Sequence, residues 1–259
     1  MVYAWRWLRS LIFSIQIYAM MAIMAVFFTP WALIDRRGAF AGVHTWCRYV
    51  RWSARWMLGL HSEVRGEIPQ GEVMIAAKHQ SFFDIIILVS ELPRPKFIMK
   101  KELGRTPILG WYAKQIGCVP VDRGKRGQAI KAMMERVRSG RQEPGQLIIY
   151  PQGTRTAPGA YREYKIGTAL LYQEMGTDCI PVACNVGVFW PRQRIYRDPG
   201  LAVVEFLPAI PPGLELRDFT KRLEEAVETA SNHLMAEAGF DAPAAIKKAQ
   251  ARAGEEAAK

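Results

Sequence analysis

A chain of 259 residues, half of them hydrophobic, is long enough for one large α/β domain with an appendage. Its four cysteines (Cys47, Cys118, Cys179 and Cys184) show no CxxC spacing, which argues against structural zinc and a disulfide framework. The net charge of +11 is uneven: residues 1–60 hold seven Arg against one Asp, while residues 214–259 hold nine acids against seven bases. A basic N-terminal half suits an anionic membrane surface, an acidic carrier protein or nucleic acid, but no nucleic-acid recognition motif is present.

From Ser10 to Ile34 there are 25 residues without a charge, the length needed to cross a bilayer as a helix. Arg6 and Arg9 precede this run, Asp35, Arg36 and Arg37 follow it, and Trp5, Trp7 and Trp31 mark its ends like an interfacial aromatic belt. Basic residues on both sides leave the orientation unspecified, and Pro30 allows a bend by which the segment re-enters rather than spans. Ala39-Phe40-Ala41 imitates a leader-cleavage site, but the apolar run is too long for a leader and Arg36-Arg37 stand between.

Residues 39–60 predict a second helix, with Phe40, Val43, Trp46, Val50 and Met57 near helical spacing. Arg48, Arg51 and Arg55 form a basic stripe, and Trp46, Trp52 and Trp56 add amphipathic rings, the composition of a helix lying in a membrane interface.

Short apolar strands then alternate with helices. Strands are expected at Glu72–Ala77, Phe97–Met99, Cys118–Val121, Gln146–Tyr150, Cys179–Val188 and Leu201–Phe206. Helices are expected at Phe82–Leu92, Glu102–Ile116 (interrupted by Pro107), Gln128–Arg138 and Lys165–Met175, and on the stripe Phe219, Leu223, Val227, Ala230 and Leu234. The alternation predicts an α/β fold, a mixed sheet flanked by helices, preceded by a two-helix membrane-embedding segment. The expected division is 1–60 for the membrane-associated helices, 61–238 for the α/β domain, and 239–259 for an Ala/Lys/Glu-rich tail.

Two runs carry chemistry. In His79-Gln80-Ser81-Phe82-Phe83-Asp84, a histidine follows an apolar strand and an aspartate stands five residues on. Within one helix that spacing would put them on different faces, so the pair works only at a strand-to-helix junction. There the carboxylate can orient the imidazole as a base. In Tyr150-Pro151-Gln152-Gly153-Thr154-Arg155, Gly153 lets the backbone approach an anion, Thr154 can donate a hydrogen bond, and Arg155 can grip phosphate bidentately. Lys100, Lys101 and Arg123 also follow apolar strands, and bases at several strand ends converge on the crevice where open α/β sheets bind ligands. There is no GxSxG elbow and no HExxH, and Ser81 and Ser90 lack a nucleophile's setting.

These residues resemble the glycerolipid acyltransferases, and within them the bacterial 1-acylglycerol-3-phosphate acyltransferases. Four blocks match in order over residues 60–210: Lys78 to Asp84; Lys100-Lys101-Glu102-Leu103 through Pro107, Gly110 and Gly117 to Val121-Asp122-Arg123; Tyr150 to Arg155, followed by Lys165 and Gly167; and Ile180-Pro181-Val182. The resemblance implies His79 as general base with Asp84 as its partner. It implies Lys100, Arg123, Gly153, Thr154 and Arg155 for the acceptor's phosphate, and Pro181 for the acyl-donor side. It further implies lysophosphatidic acid and acyl-CoA or acyl-carrier protein as reactants, membrane lipids as surroundings, no cofactor, and a place at the inner membrane facing the cytoplasm. In the third block Gln152 replaces the family's glutamate, keeping the shape and losing the charge. Other acceptors, such as glycerol-3-phosphate or a lyso-aminolipid, and a non-catalytic binder of anionic membranes are the alternatives.

Overall fold

The computed structural model describes residues 2–121, 135, 145–192 and 194–241. The expected helix 128–138 (Glu135 aside), Arg123 and the tail from 242 onward lie outside them.

The chain opens with a helical hairpin, α1 (Val2–Ile34) and α2 (Arg36–Leu58). Only Asp35 separates them, and its carboxylate caps α2 by accepting the Arg37 N–H at 2.8 Å. The reversal requires glycine at 38, where a Cβ would stand 2.6 Å from the Ala32 nitrogen. Pro30 lies inside α1, which continues to Ile34. The helices run antiparallel: Trp46 Nε1–H donates to the Ile17 carbonyl at 2.8 Å, and Gln16 Nε2 to Ser53 Oγ at 3.2 Å. Phe13, Ile17, Ala25 and Ala32 form the buried stripe of α1, while Ile12, Ile15, Ile23, Val26 and Phe27 face outward. Among the described residues, α1 is the helix long and apolar enough to cross a membrane.

The second helix begins three residues before the expected start and ends two before the expected close, at the left-handed Gly59 cap. Its predicted basic stripe does not hold together. Arg51 turns into the protein, donating to Ser62 Oγ and Ser90 Oγ, each at 2.8 Å, and pairing with Glu91. Trp46 is buried, whereas Trp52 and Trp56 remain exposed. A partly buried guanidinium on that inner face needs such partners, hydroxyls from the neighbouring strand and helix and the Glu91 carboxylate, in place of water.

Seven strands form one sheet: β1 (Leu60–Arg65), β2 (Val73–Ala77), β3 (Pro95–Lys100), β4 (Val119–Val121), β5 (Gln146–Ile149), β6 (Cys179–Cys184) and β7 (Gly200–Phe206). Their order is β1-β7-β6-β2-β5-β3-β4, with every pair parallel except β6–β7. The mixed sheet is flanked by helices α3 (Phe83–Glu91), α4 (Pro107–Gln115), α5 (Ile166–Met175) and α6 (Leu216–Glu237). β2, with Met74 to Ala77 at 0–1% exposure, is covered on both faces, which is why its sequence is continuously apolar. On one face Phe83, Ile86, Ile87 and Trp190 share a core with Phe13 and Ile17 of α1 and Trp46 and Val50 of α2. On the other, Phe219, Leu223 and Val227 of α6 and Tyr172 of α5 pack on Met74, Ala76 and Leu147.

Two elements differ from expectation, and the interruption expected at Pro107 is present. β1 is added, a half-polar edge strand held by pairing with β7, from Leu60↔Gly200 to Arg65↔Glu205. The helix expected over 102–116 divides into a 3₁₀ turn and α4, because Thr106 caps Gly110 N–H and Pro107 takes the first helical turn. The strand expected over 179–188 ends at Cys184, where the buried Asn185 amide accepts from Val203 N–H at 2.7 Å and donates to the Leu234 carbonyl at 3.1 Å. All four cysteines are free and buried.

Candidate active site

β2 delivers His79 to the edge of the sheet. Lys78 N–H still donates to the Val182 carbonyl of β6 at 2.8 Å, after which the chain leaves the ladder and enters α3. Asp84 sits in the first turn of α3, 1% exposed. Its Oδ1 is 2.9 Å from His79 Nδ1, and its Oδ2 accepts the N–H groups of Gln80 at 2.8 Å and Ser81 at 2.7 Å. The strand-to-helix junction that the five-residue spacing demands is present. A carboxylate so held assigns the proton to Nδ1 and leaves the lone pair on Nε2. Ser81 is fully buried, and its Oγ accepts from Phe83 N–H.

The turn after β5 closes against this pair. Thr156 N–H donates to the His79 carbonyl at 2.7 Å, and Gly153 N–H to the Tyr150 carbonyl at 2.8 Å. Gly153 has φ 70°, a backbone conformation that favours glycine, and a side chain there would have to displace the end of Lys165. Thr154 and Arg155 are half-buried. Arg192, which the sequence reading did not single out, reaches Thr154 Oγ1 from the chain after β6, 3.5 Å away. Its only sequence signal is a Pro-Arg-Gln-Arg run shortly after an apolar strand.

Tyr150 was also passed over as a site residue. Its ring stacks on the His79 imidazole, with centroids 4.0 Å apart and planes 19° apart. Burial pushes its phenol well above the usual range, reinforced by the nearby Asp84 carboxylate.

Because β2, β5, β3 and β4 run parallel, their C-terminal ends share one edge of the sheet. His79, the Tyr150–Arg155 turn and Lys100, which closes β3, are thereby gathered there, and Lys101 follows in an exposed turn. Pro181 does not lie at that edge. It is buried inside β6 beside Ala76, its carbonyl accepting from Leu207 N–H at 2.9 Å, which continues the β6–β7 pairing by one residue. Gln152 is 1% exposed and donates to Glu228 Oε1 at 3.3 Å, so it belongs to a buried polar cluster reaching α6. Among the described residues, no group of three or more His, Cys, Asp or Glu is placed to hold a metal.

Residues 61–185 match the family model described as Acyltransferase. A 1-acyl-sn-glycerol-3-phosphate acyltransferase of Pseudomonas aeruginosa is 29% identical over 170 residues, 65% of this chain and 66% of that protein. A lyso-ornithine lipid O-acyltransferase of the same species is 31% identical over 138 residues, 52% of each chain. A yeast (Saccharomyces cerevisiae) 1-acyl-sn-glycerol-3-phosphate acyltransferase is 31% identical over 134 residues, 50% of this chain and 44% of that one. The chain thus spans less than two thirds of the length of these relatives. The crystal structure of the Thermotoga maritima 1-acyl-sn-glycerophosphate acyltransferase, PlsC, superposes with a TM-score of 0.74 at 21% identity, covering 89% of this chain and 98% of that one, which establishes a common fold. Over residues 61–185, the stretch that carries His79 and Asp84, the chain is thus similar in sequence to the acyltransferases, and it shares the fold of PlsC.

Proposed function

We propose that this protein transfers a fatty acyl group from acyl-CoA or acyl-carrier protein to the sn-2 hydroxyl of lysophosphatidic acid, giving phosphatidic acid. The observation that carries the reading is the Nδ1–carboxylate contact of His79 and Asp84, tied by the Thr156 hydrogen bond to the turn bearing Arg155. His79 Nε2 takes the proton of the acceptor hydroxyl as its oxygen bonds to the thioester carbon. The carbon–sulfur bond then breaks, and the imidazolium returns the proton to the departing thiolate. Asp84 stabilises the imidazolium between these steps. No acyl-enzyme forms, in keeping with Ser81 being buried and engaged at the start of α3. Arg155, with Lys100, Arg123, Gly153 and Thr154, binds the acceptor's phosphate.

The apolar outward face of α1, with exposed Trp52 and Trp56 on α2, holds the site at the membrane where the acceptor resides. In a bacterial cell this is the inner membrane, with the site facing the cytoplasm, where acyl donors are made. The likeness to a lyso-ornithine lipid O-acyltransferase favours a second reading, the same chemistry on a lyso-aminolipid acceptor without the phosphate.

Transfer of labelled acyl groups by the purified protein to lysophosphatidic acid, glycerol-3-phosphate and a lyso-aminolipid separates these readings. Lysophosphatidic acid should be the preferred acceptor, and His79→Ala should abolish turnover while the protein stays folded. Substantial turnover by that variant would remove the mechanism, and none by the wild type would leave a membrane-surface binder.

A further inference from the structure

The residue before His79 and the turn bearing Arg155 meet at one carboxylate. Lys78 is 3% exposed, and its amine is held by both oxygens of Glu228, at 2.7 and 2.6 Å. Oε1 of the same carboxylate accepts from the Tyr164 hydroxyl at 2.9 Å and from Gln152 Nε2 at 3.3 Å. The Gln152 amide also donates to the Arg162 carbonyl at 3.4 Å. Burial and the Glu228 carboxylate push the Tyr164 phenol well above its usual range, so it remains a donor. Glu228 stands on α6, beyond the matched family domain. From the α6 side a groove of about 1220 Å³, lined among others by Lys78, Tyr164, Glu224 and Glu228, opens at this cluster, and His79 is not among its lining residues.

A lysine this deeply buried requires a counter-ion, and Glu228 provides it. A second carboxylate at position 152, close to the first, would be repelled, whereas an amide donates to it. An amide at 152 therefore suits the charge already present across the cluster.

We propose that Glu228 is a positioning residue for the acyl-transfer site, fixing the Lys78–His79 segment and the Gln152–Arg155 turn through one shared carboxylate. This rests on the reading of His79 as the base. Among the described residues, Asp84 on α3 contacts the His79 ring at Nδ1 and Tyr150 at the end of β5 stacks on it, while the Lys78–Glu228 pair is attached to the preceding residue. Glu224 and Cys184 act on Tyr164 from the same side.

The test is a two-site exchange, Gln152→Glu, Glu228→Gln and the double variant, in detergent-solubilised full chain. The His79 ring is titrated by NMR and acyl transfer is measured in parallel. Glu228→Gln leaves the Lys78 cation uncompensated and should lower the His79 pKa; Gln152→Glu adds an anion and should raise it. Each single variant should lose about tenfold in kcat, and the double variant, one amide facing one carboxylate again, should regain most of it. Unshifted His79 titration in both single variants, or losses that merely multiply in the double, would overturn the proposal. Should Glu228→Gln not fold, Gln152→Glu decides alone: an upward shift supports the proposal and an unchanged titration sinks it. The titration needs no turnover, so a wild type that transfers no acyl group counts against the functional reading and not against this one.

Discussion

The His79 imidazole lies flat against the Tyr150 ring at 4.0 Å, so the imidazole is held on two sides, by the Asp84 carboxylate at Nδ1 and by an aromatic face. The Tyr150 hydroxyl is buried without a hydrogen-bond partner among the described residues. The ring therefore contributes through stacking, worth about 1 kcal/mol, and the hydroxyl contributes nothing favourable. Tyr150→Phe should retain wild-type kcat and match or exceed wild-type stability by up to about 1 kcal/mol. Tyr150→Ala should cost roughly 3 kcal/mol and depress kcat. Thermal melts with parallel kinetics check both, and a Phe variant as impaired as the Ala variant would assign the hydroxyl a role that stacking does not supply.

Asp84 does two jobs with two oxygens, one for the imidazole and one for the Gln80 and Ser81 N–H groups. Asp84→Asn keeps its size but loses the charge that stabilises the imidazolium. Its kcat should fall by roughly 10³–10⁴, with little change in acceptor KM. Asp84→Ala should in addition lose about 1–3 kcal/mol of stability, since two buried donors go unmet. A kcat within a few-fold of wild type for the Asn variant would remove Asp84 from the mechanism.

Arg155 and Arg192 meet at the same turn, Arg192 through Thr154 Oγ1. On the proposal that Arg155 grips the acceptor's phosphate, Arg155→Ala should raise KM for lysophosphatidic acid by roughly ten- to a hundredfold, the worth of a lost charge-assisted hydrogen bond. Arg192→Ala should raise it less, because that side chain is exposed and solvent-screened. Neither should alter KM for the acyl donor, and initial-rate measurements varying one substrate at a time test this.

The α1–α2 reversal offers a prediction independent of the chemistry. A methyl group at Gly38 would meet the backbone of Trp31 and Ala32 at 2.6–2.8 Å. Gly38→Ala should therefore destabilise the hairpin by about 1–3 kcal/mol, read as a lowered melting temperature and faster proteolysis between α1 and α2. An unchanged melt would mean the turn relaxes freely.

Much of the architecture is legible in the sequence because it is local. Among the described residues, apolar runs bounded by turn residues marked six of the seven strands, the length of the uncharged run marked α1, helical spacing marked α2 and α6, and α3, α4 and α5 also fall within expected helices. β1 escaped because an edge strand with one polar face owes its form to pairing with β7, about 140 residues away. Arg51 misled for a related reason. The i, i+3, i+4 pattern places it on a helix face but does not say which face meets α3, and its ion pair with Glu91 follows from that packing.

At the site the division follows the same physics. His79 and Asp84 lie within one strand-to-helix turn, so a hydrogen bond across five residues is implicit in the sequence. Parallel strands ending at one edge explain why bases after several strands gather there. The stack of Tyr150 on His79, the reach of Arg192 to Thr154, and the hold of Glu228 on Lys78, 150 residues away, depend on how helices and loops settle over the sheet. Sequence specifies the groups that react because they are neighbours along the backbone. Packing decides what steadies them, because a buried charge takes its partner from whichever element the core brings alongside.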